Sequence, residues 1–271
     1  MLQTLEVAYG PQTAVVWLAR PDVRNALDAR LIGELTETFN ALAEDDNIRA
    51  IVLAGRGKVF CAGADLNAMR QSAQASEADN RADALTLATL LHTIYTCPKP
   101  TIARLHGACM AGGLGLATAC DIAVASRETR FALTETRLGL IPSMISPYVL
   151  RALGPRAASR WFLTAETFDA AEAWRIGLVH ELCEPEDLDP QINAMLGSLM
   201  HASPNALKES KRLIHDIPQY PIDSAVLEDT ATRLAKLRAT PDAQEGISAF
   251  LEKRTPSWIP EQDTEGGNEA Q

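Results

Sequence analysis

The sequence contains no uninterrupted run of roughly eighteen apolar residues, and its opening, MLQTLEVAYG, lacks a basic start followed by a long apolar stretch. Neither a membrane-spanning helix nor a secretory leader is expected, and a cytoplasmic protein is. Basic residues are in deficit: 25 Lys and Arg face 35 Asp and Glu, a formal charge of −10. That balance argues against nucleic acid or anionic membrane as partners, both of which need dense cations on one face. An anionic ligand must instead meet a local basic patch. Paired cysteines are also missing. Cys61, Cys97, Cys109, Cys120 and Cys183 are scattered and odd in number, with no CxxC pair, which fits reduced thiols packed in a core. His92, His106, His180, His201 and His215 never recur at helical i, i+4 spacing or join a Cys/His cluster, so no metal site is expected. No internal repeat is visible.

What is present suits a large globular protein. The 271 residues are 46% hydrophobic and 22% charged, enough for one sizeable domain or a domain with a helical appendage. Alternation and periodicity predict strands over 2–9, 13–19 and 50–53 around a helix at 29–43. The polar stretch from Met69 to Asn80 reads as a loop before a helical pattern through Leu85, Leu90, Leu91 and Ile94 that stops ahead of Pro98 and Pro100. Short strands are expected at 101–105, 122–125 and 130–133. Beyond Pro190 the character changes, because 192–200, 204–215, 222–237 and 242–253 all read as amphipathic helices without strands between them. The expected division is therefore a core over 1–190, a helical region over 191–260 and a solvated acidic tail over 261–271.

Three segments stand out as carriers of chemistry: RPDVRNALD from Arg20, FCAGADL from Phe60, and HGACMAGGLGLATACD from His106. Gly112, Gly113 and Gly115 could serve close packing or a tight turn alone. Equally, such a turn at a helix start could expose a backbone N–H able to stabilise developing negative charge. The turn from Ala62 to Asp65 also leads towards a helix that Asp65 could cap, so two such turns could face one oxyanion. A dinucleotide-binding loop fits poorly. Thr118 stands where a third glycine belongs, and Asp121 follows too soon to reach a ribose.

Taken together, these segments resemble the enoyl-CoA hydratase/isomerase, or crotonase, family, in the family's order from about Val15 to Pro256. Arg20 to Leu27 looks like its RPxxxNAL segment, Phe60 to Leu66 its FxAGxDL turn, and His106 to Asp121 its glycine-rich segment. LTETRLGLIP from Leu133 and FLEKRTPSW from Phe250 complete the match. The resemblance implies an α/β fold, a spiral of ββα units with a C-terminal helical region that mediates trimerisation, as a homotrimer or a hexamer of two trimers. It implies an acyl-CoA substrate and no cofactor beyond the coenzyme A that the substrate carries.

Carried over by position, the resemblance implies an oxyanion hole at the N–H groups of Ala64 and Gly112 and an acid–base carboxyl at Glu135. Leu138, Leu140, Ile141 and Met144 would supply apolar surroundings able to raise the pKa of Glu135. Arg24 is the best candidate for the CoA phosphates, ahead of Lys58 and Lys253, and Ala62, Asp65 and Leu66 would line the substrate. The usual hydratase has a second glutamate where this chain has Gly115, and that glycine is expected to leave room for a substrate bearing its own carboxylate. The stretch ISPYVLRALG from Ile145 is similar to bacterial 3-methylglutaconyl-CoA and isohexenylglutaconyl-CoA hydratases, of leucine and acyclic-terpene breakdown. Three functions stay open: a hydratase, a 3-enoyl to 2-enoyl isomerase with one glutamate, and a silent CoA-binding scaffold.

Overall fold

The computed structural model describes residues Leu2–Ile259; the acidic tail lies outside them. The chain divides into two units, one formed by residues up to Cys97 together with Thr101–Asn193, the other by Pro98–Pro100 and the chain from Ala194 on. In the first unit, β1 (Leu5–Tyr9) and β2 (Thr13–Leu18) form a hairpin, followed by α1 (Ala29–Glu44), β3 (Ala50–Gly55), α2 (Leu66–Ser72) and α3 (Glu77–Thr96). Then come β4 (Thr101–Leu105), β5 (Ala108–Met110), α4 (Gly112–Ala119), β6 (Ile122–Ser126) and β7 (Arg130–Ala132). After them follow α5 (Ser146–Thr164), β8 (Phe168–Asp169), α6 (Ala170–Arg175) and β9 (Glu181–Cys183), and α7 (Leu188–His201) begins in the first unit and ends in the second.

These strands build a six-stranded sheet in the order β1-β2-β3-β4-β6-β9 and a three-stranded sheet β5-β7-β8. Only the β1–β2 and β7–β8 pairs are antiparallel. Every residue of β3 is buried, as expected for a central parallel strand covered on both faces. The core gathers Phe39, Phe60, Phe131, Leu31, Leu35, Leu90, Leu91 and Ile94, all fully buried. Apolar residues of α1 at Leu31, Leu35, Phe39 and Leu42 recur at helical spacing and form its inward stripe. The second unit is helical: α8 (Pro204–Asp216), α9 (Ser224–Arg238) and α10 (Pro241–Glu252). There Ser203 caps α8 and its hydroxyl donates 2.6 Å to Asp242 in the first turn of α10.

The polar stretch Met69–Asn80 is not a loop. It is the end of α2 and the beginning of α3, separated only by a short turn. Local capping decides this: Ser76 Oγ accepts from Asp79 N–H at 3.2 Å, and Asn80 Nδ2 donates back to Ser72 O at 3.0 Å. No described helix is long and apolar enough to cross a membrane.

Asn25 pins the RPDVRNALD segment in place. Buried and with φ of 55°, it adopts the left-handed backbone that asparagine tolerates better than other side chains with a Cβ. Its Oδ1 accepts from Arg20 N–H at 2.9 Å, while Nδ2 lies 2.9 Å from Arg56 O, 2.9 Å from Val59 O and 3.1 Å from Phe60 O. Replacing it strands the carbonyls it serves, that of buried Phe60 among them, and adds a backbone penalty. Asn25→Ala is expected to lower unfolding free energy by about 3 kcal/mol, measured by urea denaturation, a loss far above that of an ordinary surface substitution.

Candidate active site

The site is assembled where the three motif segments meet. Leu27 N–H donates to Gly63 O at 2.7 Å and Asp65 N–H donates to Leu27 O at 2.9 Å, forming a one-residue parallel bridge between Leu27 and Ala64. A parallel bridge of this kind uses the peptides on either side of its central residue, so the N–H of Ala64 itself points the other way. A second bridge joins Cys61 to Cys109, with Cys61 N–H donating to Ala108 O and Met110 N–H to Cys61 O, each at 3.0 Å. It carries the two glycine-containing turns to each other. A Cβ placed on Gly63, whose φ is 95°, would lie 3.0 Å from Ala111 Cβ and 3.8 Å from Gly112 N. Only glycine permits that approach.

Ala111 takes φ 47° and ψ −117°, a strained conformation for a residue with a Cβ, held by its N–H bond to Ala132 O at 2.9 Å. The turn delivers Gly112 as the first residue of α4, where helix geometry leaves the N–H without an intrahelical acceptor. Neither Ala64 N–H nor Gly112 N–H has a protein acceptor among the described residues, and Ala64 is exposed. Two unspent donors thus lie on turns that pack against each other, one of them at a helix N-terminus.

The same register brings in the carboxyl. Met110 pairs with Ala132 in the β5–β7 ladder, so the strand leading to Gly112 runs beside the strand leading to Glu135. Glu135 opens a short 3₁₀ turn, Glu135–Leu138, closed by Gly139 in the left-handed region. Its Oε2 is buried and has no hydrogen-bond partner among the described residues. Burial pushes the Glu135 carboxyl above its ordinary value, against a smaller lowering by its own backbone N–H. The apolar neighbours expected around it are only partly there. Leu138, Leu140 and Ile141 are each more than half exposed, and Met144 alone packs against the core.

The substrate-lining residues fare unevenly. Arg24 is exposed, forms no ion pair among the described residues, and its carbonyl accepts Ala62 N–H at 3.0 Å, which ties it to the Ala64 turn. Leu66 opens α2 and is 69% exposed. Asp65 is a correction: it is buried and both its oxygens are taken, Oδ1 by Asn67 N–H at 2.8 Å and Oδ2 by Arg20 at 3.0 Å. Despite the burial, which by itself would raise it, these bonds hold its carboxyl below the ordinary range. It is a helix cap and clamp, not a substrate ligand. Lys58 lines a different cavity of about 370 Å³, with Trp17, Arg56, Arg104 and His106 but neither oxyanion donor. Lys253 belongs to the second unit, where it ends α10 in the left-handed region.

Gly115 is the second correction. It is buried in α4, and a Cβ there would stand 2.2 Å from Ile145 Cγ2 and 2.9 Å from Ile145 Cβ. The room expected for a substrate carboxylate is filled by Ile145 at the head of α5. Two features that motif reading passed over also shape the site: Ala111, whose positive φ no sequence signal announces, and Arg20, which touches Asp28, Asp65 and Ala26 O. The thiols take no part. Burial raises Cys61 to about 12 despite a Gly63 N–H bond, and raises Cys109 as well, so neither is a nucleophile. The described residues hold no cluster of metal-ligating side chains.

The mixed α/β framework thus sets two turns, whose Ala64 and Gly112 N–H groups are unspent among the described residues, beside the strand that leads to the partly shielded Glu135 carboxyl. The chain belongs to the enoyl-CoA hydratase/isomerase family, whose sequence profile matches residues 11–261. It is similar to the crotonyl-CoA hydratase of Syntrophomonas wolfei, 33% identical over 91% of this chain and 94% of that protein. It is also similar to the 2,3-dehydroadipyl-CoA hydratase of Escherichia coli K12, 32% identical over 95% and 99%. The crystal structure of an enoyl-CoA hydratase from Shewanella pealeana superposes with a TM-score of 0.92 at 39% identity, covering 95% of this chain and 96% of that one. The spiral crotonase fold expected from the motifs is the fold observed.

The Ile145 contact yields a test. Gly115→Ala is expected to destabilise the protein by about 1–3 kcal/mol through overpacking. Adding Ile145→Ala makes room, so the double variant should lose less than the sum of the single losses, by at least about 1 kcal/mol in a thermal or urea double-mutant cycle. Gly115→Glu should accordingly depress turnover of monocarboxylic and dicarboxylic thioesters alike.

Proposed function

We propose that the protein hydrates the double bond of a 2-enoyl-CoA thioester. The observation that carries this is the pair of unspent N–H groups at Ala64 and Gly112, which suits a thioester oxygen becoming enolate-like. A donor of this type is worth roughly 3–4 kcal/mol of transition-state stabilisation. The Glu135 carboxylate takes a proton from water as the water oxygen bonds to C3, and electron density moves to the thioester oxygen. The resulting enolate is then protonated at C2 by the same carboxyl, which leaves Glu135 as it began with water added across the bond. One carboxyl serving both proton transfers is consistent with Gly115 in place of a second. The naming of several relatives as hydratases favours this over double-bond isomerisation.

For the acyl group we infer a branched glutaconyl type carrying a second carboxylate. The ISPYVLRALG stretch supports it, as does a relative named for 2,3-dehydroadipyl-CoA, the thioester of a dicarboxylic acid. Arg24 meets the CoA phosphates. Self-association as a trimer or hexamer fits the exposed Ile247, Phe250 and Leu251 of α10.

Offered separately, crotonyl-CoA and 3-methylglutaconyl-CoA should gain the mass of water, and a 3-enoyl-CoA should not be converted to its 2-enoyl isomer faster than either is hydrated. Isomer formation outrunning hydration overturns the assignment. Glu135→Gln should lower turnover by at least about a hundredfold. It should also raise, or leave unchanged, the melting temperature at neutral pH. The sign follows from linkage: a carboxyl whose folded pKa lies above its unfolded value penalises the folded state once pH passes the unfolded value, and glutamine carries no such penalty. Activity of the natural protein should fall as pH drops through that raised value, because the first step needs the carboxylate.

A further inference from the structure

Ala64 has only a methyl group, which cannot hydrogen-bond to fix its own peptide, and the residue before it, Gly63, holds a φ of 95° that side-chain-bearing residues rarely adopt. Precision at the Ala64 N–H must come from what holds its flanks. On one flank is the Leu27 bridge; on the other is Asp65, which caps α2 through Oδ1 and turns Oδ2 to Arg20. The same Arg20 Nη2 lies 3.0 Å from Asp28 Oδ2, and Asp28 caps α1 by accepting Leu31 N–H at 2.8 Å. Arg20 Nη1 donates to Ala26 O, and the Arg20 backbone N–H is itself anchored on Asn25. The Arg20 and Asp65 side chains are only 18% and 8% exposed, so the pair is little screened by solvent.

We propose that Arg20 is a positioning residue for the oxyanion hole: its guanidinium joins the carboxylates that cap α1 and α2 and thereby holds the Ala64 peptide between them at the angle the thioester oxygen needs. The proposal rests on the oxyanion role given above to Ala64 and Gly112. A planar fork can satisfy two carboxylates and a carbonyl at once, whereas a lysine ammonium is a single point on a flexible stem. Loss of the fork frees the turn to swing at Gly63, and a shift of about 1 Å at a donor costs roughly a hundredfold in rate.

The test compares Arg20→Lys, Arg20→Gln and Asp65→Asn by turnover and by the infrared stretch of an isotopically labelled thioester carbonyl. Turnover of crotonyl-CoA should fall roughly tenfold to a hundredfold in folded Arg20→Lys, with KM changed by less than about threefold. For the spectra, each change is placed in the Glu135→Gln background, in which enoyl-CoA is consumed at least about a hundredfold more slowly. With Arg20 intact, the bound carbonyl should absorb at lower wavenumber than the free thioester in water; with Arg20→Lys, it should move back towards the free value. A carbonyl frequency that Arg20→Lys leaves unmoved, with turnover falling only as folded protein is lost, overturns the clamp and makes Arg20 a structural ion pair. A carbonyl that is unshifted even with Arg20 intact removes the oxyanion reading itself and the clamp with it, a result distinct from the first. Should Arg20→Gln fail to fold, Arg20→Lys and Asp65→Asn, which keeps an oxygen to cap α2, give the same comparison.

Discussion

Two bridges of a single residue pair each, Leu27 to Ala64 and Cys61 to Cys109, hold the site together. Neither belongs to the main ladders of the sheets, yet between them they bring the three motif segments into one place. Backbone hydrogen bonds are directional, so a bridge that uses the peptides around Ala64 also dictates where the Ala64 N–H points. The large parallel sheet and its helices supply the rigidity that makes such short bridges reliable. Asn25, with its side chain spent on Arg56, Val59 and Phe60 carbonyls, ties the first motif to the second.

The chemistry that follows is divided between backbone and side chain. In the proposed reaction backbone donors receive the thioester oxygen and need only small residues and tight turns around them, which suits the run of alanine and glycine at both positions. The same proposal gives acid–base work to the Glu135 carboxyl, one oxygen of which is buried with no hydrogen-bond partner among the described residues. An unsatisfied buried oxygen is a cost to folding, and in the proposed reaction it falls where a proton is exchanged. Ala111 is a similar case: its strained dihedrals cost stability and turn Gly112 into place.

Gly115 and Asp65 show how one side chain can be read correctly as unusual and still be assigned the wrong partner. Glycine in place of a family glutamate suggested space facing substrate, but the direction of a helix face is a tertiary property, and Gly115 faces Ile145. Asp65 sits in a motif next to the proposed Ala64 donor, and a carboxylate there invites a ligand role. Its oxygens were instead committed to a helix N-terminus and to an arginine distant in sequence.

By itself the sequence determined most of the secondary structure and the identity of the chemistry-bearing segments, because both are written in local terms. Period-2 and helical patterns place β2, β4, α1 and α8 within a residue or two, and Pro98 and Pro100 stop α3 where expected. The loop expected at Met69–Asn80 failed because capping by Ser76 and Asn80 outweighed a polar composition. Tertiary structure alone decided the rest: which N–H groups stay unspent, which carboxyl oxygen is stranded, and that Arg20 serves two helix caps together. Those are matters of distance between residues far apart in the chain. No local pattern encodes them, since each depends on how separate segments are packed and on which hydrogen-bonding groups that packing leaves without a partner.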